Sequence, residues 1–285
     1  MYYIFLFVTG AIMGSFSVAQ VWRLRFAQLS HEKKSKTARD VKEYKRLSKL
    51  RSSVRDDRSK CLDCGYLLRW HDLIPILSWI SLKGHCRKCG KKIGYTEILA
   101  EVVLASSFVL SLVFWPFELD TMLSLVQFTI WLAMLVILTI LFVYDLRWQL
   151  LPNFLLYALL ALSVIFRACD PISFFTIEAI ANLLAPVVIL SGVYLLLYFA
   201  SKGKWVGSGD WILALPLAII LENWLLAFMV LFLANLIGSI IAIPIMATKK
   251  LSSNSSIPLG PLLILAFVIV FFSQGFIIEL LLPHL

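Results

Sequence analysis

The chain alternates long uncharged apolar runs with short polar interruptions. The uncharged runs cover residues 1–22, 102–117, 121–144, 148–166, 179–200, 211–221, 223–247 and 251–278. A helix crossing the bilayer core needs roughly 20 predominantly apolar residues, so the pattern predicts an all-α polytopic membrane protein of about eight transmembrane helices. The run 102–117 reaches full span if it is extended back through Glu97 and Glu101. The run 211–221 sits between Asp210 and Glu222. It is either a shortened helix or a half-helix lining a polar cavity, because irregular backbone at membrane depth must be shielded from lipid.

Composition supports this pattern. The chain is 60% hydrophobic and 15% charged, with mean hydropathy +0.88, whereas soluble domains run about 45–50% apolar and about 25% charged. A soluble enzyme, a secreted disulfide scaffold and a disordered chain are excluded. Charge is concentrated in residues 23–96, which hold 20 of the 26 Lys and Arg and 7 of the 17 Asp and Glu. The expected organisation is therefore a first transmembrane helix at 1–22, a basic water-facing loop at 23–96 and a seven-helix membrane domain at 97–285. Arg23 and Arg25 follow the first apolar run rather than precede it, which argues against a cleaved signal peptide and for an external N-terminus. Lys and Arg then fall in the odd connections, and only Arg167 breaks the alternation. Both termini are expected outside, with the loop 23–96 in the cytoplasm.

Within that loop, Val41, Tyr44, Leu47 and Val54 recur at helical spacing in a basic segment, which predicts an amphipathic helix near anionic headgroups. No nucleic-acid partner is expected, since a positive-inside topology already demands the basic excess. Cys61-x-x-Cys64 and Cys86-x-x-Cys89 follow, and each pair is succeeded by a glycine, Gly65 or Gly90. Two such knuckles suit tetrahedral zinc. Disulfides or free thiols are the alternative, which a reducing cytoplasm disfavours. With four thiolates present the site is structural, because no ligand position stays open. His71 and His85 are expected to be ordinary loop residues, and Cys169 a bystander.

Two acids mark the cytoplasmic ends of uncharged spans. Asp145 lies in Tyr144-Asp145-Leu146-Arg147, just before Leu151-Pro152-Asn153, and Asp210 ends Gly207-Ser208-Gly209-Asp210. The expected topology puts both at one membrane depth. Carboxylates sharing a site cannot both ionise easily, so one holds a proton and the other does not. That is the arrangement of aspartic proteolysis, with Asp210, near a helix N-terminus, favoured as base and Asp145 as acid. The bland alternative is an N-cap aspartate together with an interfacial Asp145 paired to Arg147 or Lys204. Glu97 and Glu101 could line a cavity, although helix-end solvation is the simpler expectation. No His-Glu-x-x-His, Gly-x-Ser-x-Gly or phosphate-loop motif occurs.

Taken in order, these segments resemble the bacterial prepilin peptidases (type IV leader peptidases) over nearly the whole chain. Gly14-Ser15-Phe16 with Arg23-Leu24 is similar to the family's N-terminal segment. The knuckles enclosing Arg69-Trp70-x-Asp72-x-Ile74-Pro75-x-Leu77-Ser78-Trp79 match its zinc loop, and Glu101 its second-span Glu. Asp145…Leu151-Pro152-Asn153 and Gly207-x-Gly209-Asp210 fit its two aspartate motifs, and Ile257-Pro258-Leu259-Gly260-Pro261 its final signature. Val18, Arg25 and Ile212 depart from the family pattern at positions where Asn, Pro and Lys are usual. The resemblance implies a bifunctional enzyme of the bacterial cytoplasmic membrane. It would cut type IV prepilins and pseudopilins after a basic leader, then N-methylate the new terminus with S-adenosylmethionine, the zinc loop belonging to the methylating half. The rival readings are an intramembrane aspartyl protease of the presenilin or signal-peptide-peptidase type, and a proton- or cation-coupled transporter using the same aspartates. The zinc knuckles and Pro152 argue against the former.

Overall fold

The computed structural model describes residues 1–31, 38–48, 58–169, 177–247 and 258–281. Among them α-helix dominates, a loop over 58–94 contains one short α-helix, and the only strand pairing is two isolated β-bridges, Lys60 to Leu67 and His85 to Lys92. Val54, Lys249, Lys250 and Ile257 lie outside the described residues. Among the described residues six helices are long and apolar enough to cross a membrane, and two further apolar helices are shorter. The chain divides into two compact units, Met1–Val109 and Leu110–Leu285.

In the first unit, α1 (Tyr2–His31) continues well past the apolar run. No Gly or Pro interrupts residues 15–31, so the helix carries Arg23 and Arg25 beyond it without a break. Arg25 is buried and bonded to Asp40 at 2.8 Å and Glu43 at 3.1 Å on α2 (Ala38–Leu47). Of the basic segment in which an amphipathic helix is expected, the described residues form the end of α1 and α2, which also meet where Phe26 stacks on Tyr44. A loop with a short helix, α3 (Leu77–Ser81), leads to α4 (Tyr95–Val113). Gly10 and Gly14 let α1 lie directly on α4. A Cβ on Gly10 would sit 2.7 Å from the Ala105 Cα, and one on Gly14 2.6 Å from the Glu101 Cα. This is the close-packed small-xxx-small crossing used between helices in lipid.

The second unit contains α5 (Met122–Trp148), α6 (Asn153–Ala168), α7 (Ile177–Val187), α8 (Val193–Ser201), α9 (Ser208–Leu221), α10 (Trp224–Ala247) and α11 (Leu259–Leu281). A π-helical turn, Val188–Gly192, joins α7 to α8. Pro186 lies just before it. Its missing N–H and its ring disturb the α-ladder, and a widened turn follows. Leu213, Ala214, Leu217 and Ala218 of α9 are fully buried, and the helix contacts α6, α7, α8, α10 and α11. Fourteen residues span only about 21 Å, short of the roughly 30 Å bilayer core. The surrounding helices shield this short helix from lipid, so it is a shortened α-helix as the sequence allowed. Away from α9's N-terminus the core is aromatic. Trp131 stacks on Phe271 at 3.8 Å and donates its indole N–H to Ser111 Oγ at 2.8 Å.

Candidate active site

Asp145 stands in the last turn of α5, where Gln149 adopts a left-handed conformation and its N–H closes on the Asp145 carbonyl at 2.8 Å. Its carboxylate is 4% exposed. A Cβ on Gly260, in the first turn of α11, would lie 2.7 Å from Asp145 Oδ2 and 3.6 Å from Leu151 Cδ2. Only glycine admits that approach. The Gly260 amide turns its positive end toward the carboxylate, yet Oδ2 itself accepts no hydrogen bond from the described residues.

Asp210 is half-buried in the first turn of α9. Its Oδ2 accepts the Gly207 N–H at 2.9 Å, the reach-back that closes a helix N-terminus. Gly209 brings that turn onto the same leucine, since a Cβ there would lie 2.9 Å from Leu151 Cβ. Leu151 therefore touches the segment of each aspartate, and the two carboxylates are close enough for their charges to interact. The sequence had marked both acids and both glycine motifs. Leu151 as the common contact could be recognised only in three dimensions. Ser191 was also missed. This small polar residue donates from the π-turn to the Trp211 carbonyl at 2.9 Å.

In the first unit the four cysteines converge. Their sulfurs lie within 4.8 Å of one another, with Cys61 to Cys89 at 3.9 Å and Cys64 to Cys86 at 4.0 Å. Sulfurs at about 2.3 Å from a tetrahedral ion stand about 3.8 Å apart, so the donor set fits. A disulfide would require about 2.05 Å, and all four thiols are free. The knuckles are built alike. Gly65 donates to the Cys61 carbonyl and Gly90 to the Cys86 carbonyl, each at 2.9 Å. Both glycines have positive φ, at 70° and 65°, with open space around them, so conformation rather than room requires them. Burial opposes charge on Cys86, but the amides of Cys89 and Lys88 outweigh it and bring its thiol down to about 7. His71 and His85 stay outside the cluster.

Ion pairs lock the two knuckles together. Asp72 receives Arg87 at 2.8 Å and Asp63 receives Lys91 at 3.3 Å. Burial works against the charged form of Asp72, but hydrogen bonds from Arg87 and the Arg69 amide hold it below the usual carboxylate range. Between the knuckles, Ile76 has φ 62° and ψ −54° in a turn closed by the Leu77 N–H on the Pro75 carbonyl at 2.6 Å. This is costly backbone for a β-branched residue. Its own N–H is held by Glu101 Oε2 at 2.7 Å. Glu101 is 8% exposed, so helix-end solvation does not describe it. It ties the loop to α4, with Ser15 of α1 alongside.

The comparisons agree with this division. Residues 8–116 match the bacterial peptidase A24 N-terminal domain, and residues 132–243 match the type IV leader peptidase family. A prepilin leader peptidase/N-methyltransferase of Vibrio cholerae serotype O1 is 29% identical over 77% of this chain and 83% of that protein. A type 4 prepilin-like proteins leader peptide-processing enzyme of Escherichia coli O78:H11 is 28% identical over 94% of this chain and 93% of its own. A prepilin leader peptidase/N-methyltransferase of Dichelobacter nodosus is 30% identical over 73% of this chain and 68% of that protein. No solved structure matches. With both domains matched in order and aligned relatives covering most of its length, the chain belongs to the type IV leader peptidase family of bacterial prepilin peptidases.

Proposed function

We propose that this protein is an aspartic endopeptidase of the bacterial cytoplasmic membrane. It removes the basic leader of type IV prepilins and pseudopilins at the cytoplasmic face and then N-methylates the new terminal residue. The observation that carries the peptidase reading is the meeting of the Asp145 and Asp210 segments on Leu151, which Gly209 and Gly260 make possible. The relatives' names support the substrate class and the methyl transfer. A prepilin carries an apolar helix in the bilayer and a basic leader in the cytosol, so its scissile bond lies at the membrane surface where these acids are expected. Their negative charge also attracts the leader.

In this mechanism Asp210 is the base. Its carboxylate accepts the Gly207 amide at a helix N-terminus, which suits negative charge. It takes a proton from water as the water oxygen bonds to the scissile carbonyl carbon. Asp145 holds a proton and polarises the carbonyl oxygen. The tetrahedral intermediate collapses with loss of the C–N bond, and the leaving nitrogen takes the proton from Asp210.

Cys61, Cys64, Cys86 and Cys89 would hold zinc, which cross-links the two knuckles and leaves no position for substrate. S-adenosylmethionine is consumed as the methyl donor. The testing experiment is Asp145→Asn and Asp210→Asn in purified protein with a prepilin in detergent. Each is expected to abolish cleavage, and processing by either variant would sink the assignment.

A further inference from the structure

Tyr194, early in α8, is 2% exposed, yet its hydroxyl has no hydrogen-bond partner among the described residues. Buried tyrosine hydroxyls are usually paired, and an unpaired one calls for an explanation. Asn235 of α10 stands next to the hydroxyl but outside hydrogen-bond geometry with it, its Nδ2 donating to the Leu231 carbonyl at 2.7 Å.

The position of Tyr194 follows from its neighbour Ser191. Ser191 Oγ is bonded to the Trp211 carbonyl, which fixes the π-turn against α9 one residue beyond Asp210. From Ser191, α8 runs toward the short connection that returns the chain into α9, so the two helices are antiparallel. Three residues further along, about 4.5 Å at 1.5 Å per residue, Tyr194 lies level with the first turn of α9. The Asp210 charge acts on its hydroxyl. One extra residue in the π-turn rotates everything after it by about 100° around the helix axis, so the break at Pro186 sets the face on which Tyr194 stands.

We propose that Tyr194 is a third catalytic group of this site, donating its O–H to the scissile carbonyl oxygen as that oxygen becomes an oxyanion. The proposal rests on the reading of Asp145 and Asp210 as the catalytic pair. As water attacks, the C=O π pair moves onto oxygen, which has lone pairs for two donors, the Asp145 carboxyl and the Tyr194 phenol. The phenol keeps its proton throughout, so the proton transfers described above are unchanged. In the resting protein Asp145 Oδ2 and the Tyr194 hydroxyl are both buried and unmet, and a bound peptide carbonyl would satisfy both. Donors fixed in advance on a developing oxyanion in a sealed site are strong contributors to catalysis.

The test is Tyr194→Phe, which keeps the ring and its packing while deleting the orphaned hydroxyl. The expected result is an unfolding temperature equal to or above that of the parent, an unchanged KM, and a kcat for prepilin cleavage lowered about 10²–10³-fold. Methyl transfer to a pre-cleaved pilin serves as an internal control and should be retained. Full kcat in a stable variant overturns the proposal. So does joint loss of cleavage, methyl transfer and thermal stability, which would make the hydroxyl structural. Asp145→Asn is assayed alongside. If that variant cleaves, the catalytic pair itself is wrong, whereas an inactive Asp145→Asn beside a fully active Tyr194→Phe removes Tyr194 alone.

Discussion

A single missing side chain decides how close α11 can come to Asp145. Gly260→Ala would drive a methyl to within 2.7 Å of Oδ2, and the obstruction is a buried carboxylate on a helix end rather than a flexible tip. Overpacking of this kind costs about 1–3 kcal/mol, and displacing a reacting group by about 1 Å can cost about 10²-fold in rate. We expect cleavage by Gly260→Ala to fall by about that factor. Gly275→Ala on the same helix has open space around it and should cleave at the parental rate. Equal activity of the two would show that the tight approach is irrelevant. At this scale much of the site was legible, because Asp145, Asp210 and their glycines are local signals on the chain. The role of Leu151 was not, since an apolar residue among apolar residues carries no mark until three segments meet on it. Glu101 was misread for the converse reason. A lone acid at a span's edge looks solvated until the loop that buries it is placed.

At the scale of elements, α6 and α9 are joined by the one charge that breaks the expected alternation. Arg167, at the end of α6, bonds to Glu222 at the C-terminal cap of α9 at 2.6 Å, its side chain 9% exposed. The pair gives the buried guanidinium a counter-charge at that helix end. Breaking a buried pair costs about 3–5 kcal/mol. Because Glu222 is only partly buried, Arg167→Ala should cost toward the low end of about that range. Thermal unfolding in detergent should show the loss, and the apolar pair Arg167→Met with Glu222→Leu should recover most of it. If the double variant is no better than the single, the cost comes from lost packing rather than from an orphaned charge.

The knuckles offer a second element-scale test. The folded pKa of Asp72 is depressed, so its contribution is complete above the ordinary value of 3.8 and is lost only as pH falls further. Acid release of metal above pH 3.8 must therefore come from protonation of the thiolates. Asp72→Asn should weaken metal affinity by the same factor at every pH there, leaving the slope of affinity against pH unchanged. A changed slope would mean that the carboxylate titrates in that range. The knuckle pattern was plain in the spacing, whereas the ion pairs that align the knuckles depend on which loop faces which and could not be read from it.

At the scale of the molecule, the two compact units hold two different sets of polar side chains. The first holds the cysteine cluster, the clamped turn at Ile76 and the buried Glu101, and the second holds both aspartates and Tyr194. The apolar runs foretold the helices because lipid imposes length and composition directly. They could not foretell that the compact division falls within α4, after Val109 rather than at the end of the basic loop. If cleavage belongs to the second unit and the zinc loop to methyl transfer, the two activities should separate under mutation. Cys61→Ser with Cys86→Ser leaves two thiolates, too few to close a tetrahedral site. That variant should lose its metal by elemental analysis and its transfer of label from S-adenosylmethionine to pilin. It should still remove the leader, because none of its changes touches Asp145, Asp210 or the glycines that seat them. Loss of cleavage as well, in a protein whose second unit still resists proteolysis, would show that the two activities do not separate between the units.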